Sequence, residues 1–73
     1  MNTAAEERRI SRKYAYRGMR VTAHLRDGSK TAGYILAWGP SVLRLQLPAA
    51  NASAKPGYRE ISTVSLGYVT QAI

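Results

Sequence analysis

From Met19 onward the chain alternates apolar and polar residues with a period of two, and two glycine signals, Asp27-Gly28 and Gly33, interrupt the alternation. That pattern constrains the fold more than any other feature, because a period of two places successive side chains on opposite faces of a strand. Val21, Ala23 and Leu25 point one way, and Thr22, His24 and Arg26 the other. Asp27-Gly28 reads as a hairpin turn, since the turn needs a positive φ that glycine adopts without steric cost. A second strand runs from Lys30 to Trp38, and its interior Gly33 marks a sharp bend or the close approach of another backbone. Gly39-Pro40-Ser41 is a turn. In a third strand, Val42 to Leu47, the leucines at 43, 45 and 47 alternate with Arg44 and Gln46. Pro48 to Gly57 has the composition of a flexible loop or hairpin tip. Tyr58 to Val64 and Leu66 to Ile73 are the last two strands, with a bend at Gly67. These parts predict a mainly β architecture, a five-stranded, strongly bent barrel over about residues 19–73 in a single domain.

Ahead of the strands the spacing predicts a helix from about Ala4 to Arg17. Thr3 followed by Glu6 has the spacing of a capping box. Glu6 and Glu7 suit the positive end of the helix dipole, and the following arginines suit the negative end. Gly18 stands where a left-handed residue terminates a helix. At about 100° per residue Ile10 and Tyr14 share one face. Arg8, Arg9, Arg12, Lys13 and Tyr16 spread over the opposite arc, so the helix would lie on the barrel by a narrow apolar edge.

The chain of 73 residues holds eleven Lys/Arg against four Asp/Glu, a formal charge of +7, and six of the eleven cations fall between Arg8 and Arg20. Clustered positive charge is the electrostatic footprint of a polyanion binder, although the same charge can serve only to solvate a face. A chain this short buries roughly 60% of the surface it exposes unfolded, so self-association is the expected reinforcement. With no cysteine there is no disulfide and no thiolate metal site, and a single histidine builds no zinc site. Neither a metal nor a cofactor is implied. Catalysis has little support, because one histidine, no cysteine and four acids assemble no nucleophile, base and acid within one chain. No apolar stretch is long enough to span a bilayer, and the first residues lack the apolar run of a signal peptide. The absence of cysteine fits a reducing compartment, and a cytoplasmic location is expected.

Val21, Leu25, Asp27, Gly28, Gly33, Ile35 and Trp38 resemble the first motif of the Sm-like superfamily, most closely its bacterial Hfq-like RNA chaperones. Ile61-Ser62-Thr63-Val64 is similar to the Ile-Ser-Thr-Val/Ile that ends the second motif in those chains. The resemblance implies an SH3-like barrel of the Sm-like fold, a homo-oligomeric ring of about six or seven subunits, and binding of single-stranded RNA. Two departures limit what carries over. Gly39-Pro40-Ser41 replaces the family's Asp-Gln-Phe/Tyr, so that base-holding chemistry is missing. The family's Tyr-Lys-His becomes Gly57-Tyr58-Arg59 followed by Glu60, which puts Tyr58 and Arg59 where the family has RNA ligands.

The residues expected to touch nucleic acid are therefore Arg8, Arg9, Arg12 and Lys13 on phosphates, with Tyr16, Tyr58 and Arg59 beside them. Arginine suits phosphate because its planar fork pairs bidentately with the oxygens. Tyr16 is placed to stack a base or to pack on its neighbours. Trp38 is assigned to core or interface packing, Tyr34 and Tyr68 to packing or a subunit interface, His24 to the surface and Asp27 to its turn. The expectation is a non-enzymatic ring protein that binds RNA with little sequence preference. The alternative is a protein-interaction or structural ring without specific RNA binding.

Overall fold

The computed structural model describes residues 7–49, 51 and 53–72. The strands are β1 (Glu7–Ile10), β2 (Arg20–Leu25), β3 (Lys30–Trp38), β4 (Val42–Gln46), β5 (Tyr58–Ser62) and β6 (Leu66–Ala72), with a 3-10 turn at Arg12–Tyr14 after the first. All six pair antiparallel in one sheet ordered β1-β6-β2-β3-β4-β5. The period-two pattern located β2 to β6; β4 and β5 stop slightly short of the expected ends at Leu47 and Val64.

A lone sheet has no second layer to cover its apolar face, so it must curl onto itself to make a core. The buried residues come from five of the strands and their flanks: Met19, Val21, Ala23, Ile35, Leu43, Leu45, Ile61, Leu66 and Val69. Leu43, Leu45 and Val69 are the largest fully buried side chains, each contributing roughly 1.5–3 kcal/mol by leaving water. Ile10 and Trp38 pack against this cluster from its margin, as expected for Trp38. Close backbone approaches mark two strand glycines; at Gly67 a Cβ would stand 2.9 Å from the His24 carbonyl oxygen, and the tighter approach is at Gly33. A Cβ there would stand 2.6 Å from the Gln46 carbonyl oxygen and 3.3 Å from the Leu45 Cβ, so β3 and β4 approach more closely than any side chain would permit. A register shift between Ile35 and Ala37 follows two residues later and adds twist. Arg59 Nη1, on β5, donates to Thr31 Oγ1 on β3 at 2.5 Å, a reach across β4 that the curl shortens.

Two expectations are corrected. Residues 7–17 form no helix: the segment is a strand, a 3-10 turn and a loop. The reason is what each conformation can bury. A helix would have rested on Ile10 and Tyr14 alone, and a short helix with so narrow an apolar edge is unstable in water. As a strand, Glu7–Ile10 completes hydrogen bonding along the open side of β6, and Ile10, opposite Val69, reaches the core margin. Tyr14 instead stands 70% exposed. Gly18 has the anticipated positive φ of +91°, but it ends the loop before β2. The expected cap at Thr3 and Glu6 lies outside the described residues.

The second correction concerns closure. The sheet has six strands, and the barrel is not closed, because β1 occupies the edge of β6 that a five-stranded barrel would join to β5. The β2–β3 connection does form at Asp27-Gly28. Gly28 N–H donates to the Leu25 carbonyl at 3.1 Å, and Gly28 has φ +95°. Asp27 Oδ1 accepts from the Ser29 hydroxyl at 2.6 Å and from Ser29 N–H at 2.8 Å. Described residues between Pro48 and Gly57 form neither helix nor strand, and Leu47 N–H closes that connection on the Gly57 carbonyl at 2.8 Å.

Gly33→Ala is expected to cost about 1–3 kcal/mol, since the Gln46 backbone must move. Gly57→Ala, whose added Cβ meets nothing within 4 Å, is expected to be nearly neutral. Thermal melts of the two variants check this: a shift of several degrees for the first alone is predicted, and equal melting temperatures would refute the close approach. The Ser29 hydroxyl and then the Ser29 N–H, with help from the Arg59 charge, hold the Asp27 carboxyl below its ordinary value. A depressed carboxyl stabilises the fold above its unfolded pKa and loses that effect as pH falls below about 4. Asp27→Asn should therefore destabilise at neutral pH and match the parent increasingly closely in acid, as urea melts across that range would show.

Candidate nucleic-acid interface

Strand alternation divides the N-terminal cations between two faces. On β1, Arg8 lies opposite Gln71 and Ile10 opposite Val69, on the face that carries the core. Glu7 and Arg9 lie on the other face, where Arg9 pairs in register with Thr70. The continuous arc that a helix would have made of Arg8, Arg9, Arg12 and Lys13 is therefore broken.

On the outer face, Arg9 sets its guanidinium carbon 4.1 Å from the centroid of the Tyr68 ring. Tyr68 in turn stacks on His24, with centroids 4.3 Å apart and planes 9° from parallel. The Thr70 hydroxyl donates to Glu7 Oε1 at 2.8 Å and lies 2.9 Å from His24 Nε2. Glu7 Oε1 is also 3.5 Å from that nitrogen. Because the hydroxyl has one proton and gives it to the carboxylate, Nε2 must be the donor in its contact with Thr70. The arrangement is thus the reverse of a nucleophile activated by a base, in which histidine accepts the hydroxyl proton. Thr70 is only 5% exposed. These five side chains fasten β1 to β6 and β2.

Beside β1, Arg8, Arg9, Ile10, Ser11, Tyr14, Met19 and Gln71 line a groove of about 520 Å³, so Arg9 borders it even though its guanidinium lies over Tyr68. Lys13 holds its ammonium 5.2 Å from the centroid of the Tyr14 ring. Arg12 is exposed in the 3-10 turn, and Tyr16 is 60% exposed in the loop that follows. Arg8, Lys13 and the unexpected Tyr14 thus gather at one end of the molecule, with Arg12 beside them in the chain.

The remaining two expected residues lie on the opposite edge strand. Tyr58 is 64% exposed on the face of β5 that carries Glu60, with the Arg44 guanidinium carbon 5.7 Å from its ring. Arg59 points to the opposite face and is engaged with Thr31. Adjacent strand residues cannot share one face, so Tyr58 and Arg59 do not make a single contact surface. Gly39-Pro40-Ser41 is held shut by Gly39 N–H donating to the Val42 carbonyl at 2.9 Å, and by the Thr63 hydroxyl donating to the Pro40 carbonyl at 3.0 Å.

The described carboxylates are already engaged. Among the described residues, Glu7 is held by Thr70, Asp27 by Ser29 and Glu60 by an ion pair with Arg44. The described ion pairs involve none of the cations between Arg8 and Arg20. Sequence reasoning missed Tyr14, because the helix reading turned it inward. It also missed the Glu7–Thr70–His24 contact, because that joins strands distant in sequence. Among the described residues, no helix is long and apolar enough to cross a membrane.

Thr70→Val is expected to release Glu7 and loosen β1, at a cost of about 1.5–3 kcal/mol for a hydrogen bond to a charged group. Glu7→Gln in the Thr70→Val background should add little, and amide exchange should quicken in the β1–β6 ladder before the β2–β3 ladder. Fully additive losses would separate the two side chains energetically. No family model, curated protein or solved structure matches this chain.

Proposed function

We propose that this chain is a small RNA-binding protein of the Sm-like, Hfq-like kind, holding single-stranded RNA without reading much of its sequence. The observation that carries the reading is the cationic N-terminal end: Arg8, Arg12 and Lys13 with exposed Tyr14 and Tyr16, and no described carboxylate paired to any of those cations. Guanidinium and ammonium groups bind phosphates without base information, and tyrosine faces stack any base. The strands, the motif residues in β2, β3 and β5, and the net charge of +7 support the same reading. The contact surface is the strand and turn from Arg8 to Tyr16, with Tyr58 a separate aromatic on the far edge and Arg59 committed to the barrel. In this proposal the protein is not an enzyme, acts in the cytoplasm, and assembles as a ring of about six or seven subunits, so that weak contacts repeat around it.

A second reading, a ring that binds proteins or serves a structural role, draws on a different observation. β1 and β5 each present an unpaired side among the described strands, and such edges accept a strand from another copy or partner.

Fluorescence anisotropy with labelled rU6 and rA6 separates the two. The parent should bind both, with affinity falling steeply between about 50 and 200 mM salt. Replacing Arg8, Arg12 and Lys13 together with alanine should weaken both alike and lower the salt slope by about two. Absence of binding to either probe at low salt would remove the RNA reading and leave the interaction reading in its place.

A further inference from the structure

The groove beside β1 brings apolar, aromatic, amide and cationic groups together. Its floor is apolar, from Ile10 and Met19. Tyr14 supplies an exposed aromatic ring at its wall, and Lys13 holds a positive charge over that same ring. Gln71 offers an amide able to donate and accept, and Arg8, its register partner on β1, offers a guanidinium. An apolar floor and an aromatic face suit a base. An amide suits a base edge, and a guanidinium with a nearby ammonium suits the phosphates on either side. The volume, about 520 Å³, is in the range of small-ligand sites. A basic or uncharged protein segment gains nothing from the positive charge here, whereas a polyanion is complementary to it.

We infer that this groove is a nucleotide subsite, which takes one base of a single strand against Tyr14 while Arg8 and Lys13 hold its flanking phosphates. The inference deepens the RNA-binding reading and rests on it. It assigns an anchoring position to Tyr14, and it builds the site across two paired strands, since Arg8 and Gln71 come from β1 and β6.

The test uses the full chain, labelled rA6 and rU6, and the variants Tyr14→Ala, Tyr14→Phe and Arg8→Met. Tyr14 is exposed, so its variants should fold as the parent does. Tyr14→Ala should weaken rA6 binding by about tenfold with an unchanged salt slope, because a stacking contact is lost and no phosphate contact is. Tyr14→Phe should bind as the parent. Arg8→Met should keep the apolar lining and lower the salt slope by about 0.7. If the parent binds with a steep salt slope and Tyr14→Ala binds equally well, the subsite is wrong and the broader RNA reading survives. If the parent binds neither probe, both fall. If Tyr14→Ala changes the native mass of the assembly, the groove is an interface between copies, and the nucleotide assignment is overturned.

Discussion

The Gln46 carbonyl oxygen occupies the place where a side chain on residue 33 would begin. That contact decides how tightly β3 can fold over β4, and so whether a sheet with no covering layer can have an interior at all. Leu43 and Leu45, which lie on β4 beside the contact, are wholly withdrawn from solvent. The core residues of β2, β5 and β6 complete the enclosure, and Arg59 ties β5 across to β3 once the curl has brought them near. Without that bend the same leucines would form an exposed apolar stripe, the surface that drives small β proteins to aggregate.

The short strand at the N-terminal side has two jobs on two faces. Glu7 and Arg9 point outward and are consumed in holding the strand to Thr70, His24 and Tyr68. Arg8 and Ile10 point inward and border the groove. Charge counting treats the two arginines as equal; alternation sets Arg9 over the Tyr68 ring and Arg8 opposite Gln71, although both border the groove. The outer contacts set the position of the inner ones, because a four-residue strand moves as a unit.

Much of the sheet was legible in the sequence because its signals are local. Alternation from Val21 to Leu25, the Asp27-Gly28 turn, the interior Gly33 and the alternating leucines at 43 and 45 each act within a few residues, and each falls where it was read, while Leu47 lies just past the end of β4. The N-terminal segment was misread because its conformation is chosen by a distant partner. Glu7 to Ile10 carry acid and arginine in an order that caps and solvates a helix equally well, and only the vacant edge of β6 favours the strand. The candidate site suffered in consequence. Tyr14 was assigned to packing, Arg9 to the phosphate contacts, and Thr70 and Glu7 were not seen as partners, since pairings so far apart in sequence leave no periodic trace.

The order of the strands also dictates when the molecule becomes whole. β2 to β5 pair with neighbours in sequence and can associate as soon as each has been made, whereas β6 inserts between β2 and β1. β1 therefore has no partner strand until β6 is in place beside β2, a pairing between segments far apart in sequence. Before that pairing its arginines are an unstructured set of charges. The groove that Arg8 and Gln71 border exists only after it.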